Sequence, residues 1–506
     1  MRSQCSLESA TLHGVEAQAV TVEVVVGGGM PGMAIVGMAD TAIQEARERV
    51  RAAVGAAGFS MPGSKIVVNL APSYVRKAGS GFDLPIALGI LAATGQVDPE
   101  ALRGRLFVGE LSLDGAVRPV RGTLAFGICA HGQGLALVGA PESEEVPLAD
   151  LEQLSLRSLG ALQGPEPFSP RVRRRGGAGA AATSSAPDFA DVAGHEVAKR
   201  ALQIAAAGGH GLLMMGPPGS GKTMLASRLG SILPPLTEGE TLEAAVVHSV
   251  AGEPVEGLLA GVRPFRHPHH SATAAGLVGG GNPLRPGEAS LAHCGVLFLD
   301  ELAEFKPSVL QALRQPLESG TVALTRAEGS VAFPARFMLV AATNPCACGY
   351  FGDEEHPCTC TVPQVNAYQG KIGGPLMDRI DLQLDVRRLP PGSVLDSGGG
   401  QGSAELREGV LRGRAFASWR RREEGCASSR RGPGRPQAVI EACRLDGEGR
   451  AFMESMAKAY GMSGRALVSA LGVARTIADM EEAPAVGAAH LAEALGLRLR
   501  EGVGCR

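Results

Sequence analysis

In the string "GLLMMGPPGSGKTML", Gly216, Pro217, Pro218, Gly219, Ser220, Gly221, Lys222 and Thr223 stand between an apolar run and a helical pattern. Glycines there let backbone N–H groups converge on phosphate oxygens at a helix N-terminus. Lys222 would reach the β- and γ-phosphates of ATP, and Thr223 would ligate Mg²⁺. Downstream, "GVLFLDELAEF" ends an apolar run on Asp300 and Glu301. An Asp at a strand tip can hold the Mg²⁺ shell, and the adjacent Glu can polarise an attacking water. A second apolar run, "RFMLVAATN", ends on Asn344, whose amide could orient that water. In "GPLMDRIDL", Arg379 is a candidate for stabilising the transferring phosphoryl group of a neighbouring subunit. A local ion pair with Asp378 or Asp381 is its plainer alternative. Arg465 is a second candidate for the γ-phosphate.

Just past Asn344 comes "PCACGYFGDEEHPCTC", with Cys346, Cys348, Cys358 and Cys360. Two thiolate pairs suit tetrahedral Zn²⁺, although the C-x-C spacing is tighter than usual. Reduced structural thiols and redox control are the alternatives, the latter disfavoured in a reducing cytosol. Cys5, Cys129, Cys294, Cys426, Cys443 and Cys505 are scattered and read as ordinary thiols.

Positioning these groups takes an α/β core, and the chain is long enough for more than one domain at 506 residues. A hydrophobic content of 45% supports real cores, while a net charge of −3 gives no overall bias toward nucleic acid, so DNA contacts need local patches. The N-terminus lacks an apolar signal segment and the longest apolar runs are too short to span a bilayer, so a cytoplasmic protein is expected. Composition breaks divide the chain into a domain over 1–168, a flexible linker over 169–187, an α/β core over 188–388, an Arg/Gly-rich linker or insertion over 389–435, and a helical domain over 436–506. In "SGRALVSALGVARTIADM", Leu467, Leu471, Ala474 and Ala478 mark one buried helix face behind the N-cap Ser463.

The order of the phosphate loop, "LFLDEL", "AATNPCACG", "GPLMDRIDL" and "GRALVSALGVARTIAD" resembles the magnesium-chelatase-like branch of the AAA+ ATPases. The strings "HPHHSATAAGLVGGG", "PGEASLAHCGVLFLDELAEF" and "FDLPIALGILAATGQ" are similar, more narrowly, to the bacterial ComM/YifB competence-protein family. The resemblance implies a hexameric ring motor for DNA branch migration in natural transformation, working among recombination proteins. It matches Lys222 and Thr223 to Walker A, Asp300 and Glu301 to Walker B, and Asn344 to sensor 1. It matches Arg379 to the arginine finger and Arg465 to sensor 2. A metal-chelatase motor acting on a tetrapyrrole through a partner subunit is the rival from the same branch.

The first 168 residues resemble the proteolytic domain of Lon-type proteases, an α/β fold of the ribosomal S5 domain 2 type with a Ser–Lys dyad. By that resemblance the nucleophile position holds Gly81 and the base position falls at about Leu124. Neither can do the chemistry, and Ser80, one residue away, still lacks a lysine base. An inactive scaffold is expected, and an ATP-dependent protease is disfavoured.

For DNA, the stretch from 262 to 293, which the AAA+ resemblance places on a pore-facing loop, offers Arg263, Arg266, His267, His269 and His270 as phosphate contacts. A metal site and burial against the nucleotide core are the alternatives for its histidines. "GTVALTRAEGSVAFPARF" reads as a hairpin of Val322–Thr325 and Val331–Phe333 with Arg326 at its tip. "RVRRR" (171–175) and the Arg-rich segment 407–435 are further basic patches.

Overall fold

Valines at every second position set the first sheet. Val20, Val22, Val24 and Val26 are buried along strand Glu16–Gly27, which pairs antiparallel with Ser3–His13 over that strand's full length. Six more strands join this pair, in the order Ser169–Pro170, Gln153–Ser155, Ala136–Gly139, Arg105–Phe107, Ser3–His13, Glu16–Gly27, Lys65–Ala71 and Gly32–Val36. The apolar string after Phe82 becomes helix Asp83–Ala93, buried at every residue against this sheet. The computed structural model describes residues 3–171, 187–281, 284–326, 329–390, 400–423 and 436–498.

The second sheet is parallel throughout. Its order is Phe265–Arg266, Val296–Leu299, Met338–Thr343, Leu212–Met215 and Leu382–Asp385. The three middle strands are buried at every position, as expected of a parallel sheet covered on both faces. Parallel pairing brings their C-terminal ends to one edge, where Gly216, Asp300 and Asn344 begin their loops. The mixed α/β core with its helical C-terminal region has the architecture that the AAA+ resemblance implies. Among the described residues no helix is long and apolar enough to cross a membrane.

Helix Gly464–Met480 has the expected form. Ser463 is its N-cap, with Oγ accepting from the Ala466 N–H at 3.2 Å. Leu471, Ala474 and Ala478 are buried, and Leu467 is half-buried. Two segment readings need correction. The strand Ser169–Pro170 and the Arg171 side chain, which donates to Glu144 O at 3.0 Å, still belong to the first sheet's domain. The sheet thus runs past 168, and the rest of "RVRRR" lies outside the described residues. The segment 389–435 contains helix Ser403–Glu423, buried at Leu406, Gly409, Val410 and Gly413 against helices Glu196–Gly208 and Gly464–Met480. Its Arg420 is buried in an ion pair with Asp479 at 3.0 Å, and Arg414 donates to Ala206 O at 2.7 Å. These arginines are tied to the fold, whereas Arg407, Arg412 and Arg422 are exposed.

Candidate active site

The phosphate loop follows a strand that cannot leave the core. Leu212, Leu213, Met214 and Met215 are all buried, and the chain turns at Gly216 into helix Lys222–Ser227. A Cβ at Gly216 would lie 2.1 Å from Val386 O, so only glycine fits between the two strand ends. Lys222 is 8% exposed; its Nζ donates to Gly216 O at 2.8 Å and Pro217 O at 2.9 Å, and reaches Asn344 Oδ1 at 3.4 Å. Desolvation lowers its pKa from the usual lysine value to about 8, against the opposing pull of Asp300. The Thr223 hydroxyl donates to Asp300 Oδ2 at 2.6 Å. Lys222, Thr223, Asp300 and Asn344 are therefore one cluster, drawn from three strand ends. Two oxygens so close together, Thr223 Oγ1 and Asp300 Oδ2, are the hard donors that Mg²⁺ takes.

Glu301 takes a left-handed backbone (φ 51°), and its N–H donates to Asp300 Oδ1 at 2.9 Å. Its carboxylate meets His270 Nδ1 at 2.9 Å. That partner was not legible in sequence: the triplet of histidines suggested phosphate contacts, and nothing local pairs His270 with a residue thirty-one positions on. His269 packs against His270 with rings tilted by 34° and centroids 4.1 Å apart and faces Ser271 Oγ at 2.9 Å, while His267 packs on Phe298 at 4.7 Å. The expected DNA-facing arginines of this stretch are also internal. Arg263 donates to Pro234 O at 2.7 Å and pairs with Glu240 at 2.8 Å; Arg266 pairs with Glu288 at 2.6 Å and Glu253 at 3.5 Å. Both guanidinium charges are neutralised within the chain, so neither is presented to a phosphate backbone. The hairpin does form, as Thr321–Arg326 paired with Gly329–Pro334 and closed by Arg326↔Gly329. The Arg326 side chain lies outside the described residues.

Arg379 and Arg465 converge on Glu318, Arg379 in direct contact and Arg465 at 3.4 Å. Burial lowers the Arg379 pKa first, and Arg465 and Arg314 add to it by repulsion. Asp381 serves other partners: His210 Nδ1 at 3.4 Å and the Ser469 hydroxyl on helix Gly464–Met480, in the C-terminal helical domain that acts as the lid of the core. Between the phosphate-loop strand and the lid helices lies a cavity of about 920 Å³. Val197, Phe452, Met456 and Tyr460 line its apolar part next to Gly216 and Pro217, and Asp353, Glu354, Glu355, Arg387 and Arg388 line its polar part. Sequence reasoning missed this wall because its members come from distant helical segments.

The four expected cysteines also come together. Cys346 Sγ lies 3.3 Å from Cys348 Sγ and 3.7 Å from Cys358 Sγ, Cys348 and Cys358 are 3.5 Å apart, and with Cys360 all four sulfurs fall within 4.8 Å of one another. Cys5, Cys129, Cys294 and Cys443 are free thiols, and Cys426 and Cys505 lie outside the described residues.

Three family models match in series: one described as "Subunit ChlI of Mg-chelatase" over residues 22–143, "Magnesium chelatase, subunit ChlI" over 188–394, and its C-terminal part over 400–498. Competence protein ComM of Haemophilus influenzae is 41% identical over 494 residues, covering 96% of this chain and 95% of its own. YifB of Salmonella typhimurium is 40% identical over 492 residues, with 96% and 95% covered. The magnesium-chelatase 67 kDa subunit of Chlorobaculum parvum is 30% identical over 162 residues, covering 31% of this chain and 23% of that protein.

Proposed function

Because the chain belongs to the ComM/YifB family of magnesium-chelatase-like AAA+ ATPases, we propose that it couples ATP hydrolysis to branch migration of DNA, as a hexameric ring in the cytoplasm, during natural transformation. The observation that carries the hydrolytic half is the cluster of Lys222, Thr223, Asp300 and Asn344 at one edge of the parallel sheet. Lys222 and the backbone of Gly216–Gly221 hold the phosphates, while Thr223 and Asp300 hold Mg²⁺, which neutralises phosphate charge when bound. Glu301 accepts a proton from the attacking water, and Asn344 orients that water. Arg379 and Arg465, grouped on Glu318, supply positive charge to phosphates at a subunit interface. Zn²⁺ in the four-cysteine cluster is part of the same proposal.

End-to-end similarity to a protein named for competence supports the DNA half. With Arg263 and Arg266 internally paired, the contacts fall to Arg326 on the hairpin and to the exposed Arg407, Arg412 and Arg422. Recombination proteins are the expected partners. The chelatase reading keeps one support, the descriptions of the family models, including the one matched in the N-terminal domain. The chelatase 67 kDa relative covers under a third of the chain, which favours DNA. The Lon-like N-terminal domain is then an inactive scaffold.

The test is ATP-dependent migration of a three- or four-stranded DNA junction. Wild type should move the junction and Lys222→Ala should not. A wild type with neither DNA-stimulated ATPase nor migration would sink the DNA reading.

A further inference from the structure

The four-cysteine segment does not merely follow the ATP site in sequence; it rests on the phosphate loop. A Cβ at Gly349 would lie 2.7 Å from Pro218 Cδ, so the knuckle between Cys348 and Cys358 is seated directly on that proline. Arg388 clamps the contact from the other side. Its guanidinium donates to Pro218 O at 2.8 Å and meets His356 Nδ1 at 3.3 Å. His356 in turn stacks on Tyr350 with centroids 5.1 Å apart, closing the knuckle on itself. A chain of contacts thus runs from the sulfurs to the third residue of the loop that cradles phosphate.

The sulfurs fit an ion better than a disulfide. Zn–S bonds of about 2.3 Å in a tetrahedron place sulfurs about 3.8 Å apart, whereas a disulfide needs about 2.05 Å. The separations of 3.3, 3.5 and 3.7 Å lie near the first value. The backbone N–H of Cys360 donates to Cys358 Sγ at 3.4 Å. Such a donor offsets part of the net negative charge of four thiolates around one Zn²⁺. Binding is coordination alone: four thiols release four protons and no sulfur is oxidised. Between strand Met338–Thr343 and helix Val362–Gly370 the described residues form no helix or strand, so the order of this segment rests on turn hydrogen bonds, such as Gly349 N–H to Cys346 O at 3.0 Å, and on side-chain contacts.

We infer that Zn²⁺ on Cys346, Cys348, Cys358 and Cys360 fixes this knuckle against Pro218, and through Arg388 sets the affinity of the phosphate loop for nucleotide. The inference rests on the ATP-site reading above and adds to it a metal-dependent control of that site.

The test uses the full chain, with zinc measured by mass spectrometry and affinity by titration of a fluorescent ADP analogue. About one Zn²⁺ per chain is expected. Chelation should raise the Kd for the analogue about tenfold, reversibly with Zn²⁺ and not with Mg²⁺. Arg388→Gln should keep its zinc and its circular dichroism yet bind the analogue several-fold more weakly, which separates coupling from folding if Cys358→Ser does not fold. Zinc-free protein with normal affinity, or Arg388→Gln with unchanged affinity, overturns the inference and leaves the ATPase reading intact. Affinity that follows zinc in a protein that moves no DNA supports the inference and removes only the motor.

Discussion

The edge of the parallel sheet and the expected dyad position of the N-terminal domain both carry a glycine-rich approach to a helix, yet they have opposite fates. At the first, four polar side chains converge and stay reachable by a ligand. At the second, Leu124 is fully buried, packed with Ala125 against Ala244, Ala245, Val246 and Val250 of helix Glu238–Ala251. The Gly122 N–H donates to Ser249 O at 2.9 Å and the Leu124 N–H to Ser249 Oγ at 3.3 Å, which locks the two domains together. Ser80, next to Gly81, donates to Glu110. The Leu124 side chain has no lone pair to take a proton. Catalysis needs polar groups held short of saturation; docking needs them removed. One patch of surface cannot serve both, and in the N-terminal domain Leu124 is given to docking.

The comparison breaks most sharply at Glu301. Glu301→Gln keeps the size and the hydrogen-bonding reach but removes the base, so kcat for ATP should fall roughly 10²–10⁴-fold while nucleotide Kd stays within a few-fold. A matching change at the other site should act on stability instead. Leu124→Ala should cost about 2–5 kcal/mol by opening a cavity at the domain interface, read as a lower denaturation midpoint. The double variant Gly81→Ser, Leu124→Lys should cleave no casein. Peptidase activity in that variant would mean the dyad geometry survives and only the two side chains are missing.

The two sites also differ in how legible they were. The phosphate loop, Asp300, Asn344 and the four cysteines could be read because their chemistry demands particular residues next to buried strands. Partner choice could not. Arg263 and Arg266 looked free because Glu240 and Glu288, which neutralise them, lie more than twenty residues away. Helix Ser403–Glu423 was hidden in a segment that looked like a linker or insertion because its buried face rests on Gly409 and Gly413 as much as on Leu406 and Val410. A Cβ at Gly413 would sit 2.6 Å from Met480 Cγ, so close packing replaces the apolar stripe that sequence patterns detect. Leu124 could be read as a missing base, but its role as a docking residue depends on a helix more than a hundred positions downstream.

A smaller effect follows from burial at the nucleotide site. Lys222 is depressed to about 8, so its ammonium is intact below that pH and is lost as pH rises through it. Phosphate binding favours the ammonium, and the free protein must therefore take up a proton to bind at higher pH. Nucleotide Kd should rise by up to about tenfold per pH unit above about 8. Lys222→Arg, whose guanidinium keeps its proton, should bind more weakly at about pH 7 but with a flat profile over the same range. A wild-type profile that is flat from about pH 8 to about pH 9.5 would place the Lys222 ammonium in a better solvated setting than its 8% exposure implies.

The smallest expected effect tests how the active edge is kept quiet. Glu301 and His270 are both partly exposed and meet at 2.9 Å, an arrangement worth at most about 1 kcal/mol. An imidazole N–H on the carboxylate occupies an oxygen that would otherwise accept from the attacking water. His270→Ala should therefore raise the DNA-free ATPase rate by about two- to fivefold and reduce the ratio by which DNA stimulates it. The measurement is kcat with and without a DNA junction, at saturating ATP. A fall in the DNA-free rate would reverse the assignment, making His270 the group that aims Glu301 at its water. Either result distinguishes this edge from the N-terminal site, where Ser80 and Glu110 hold each other.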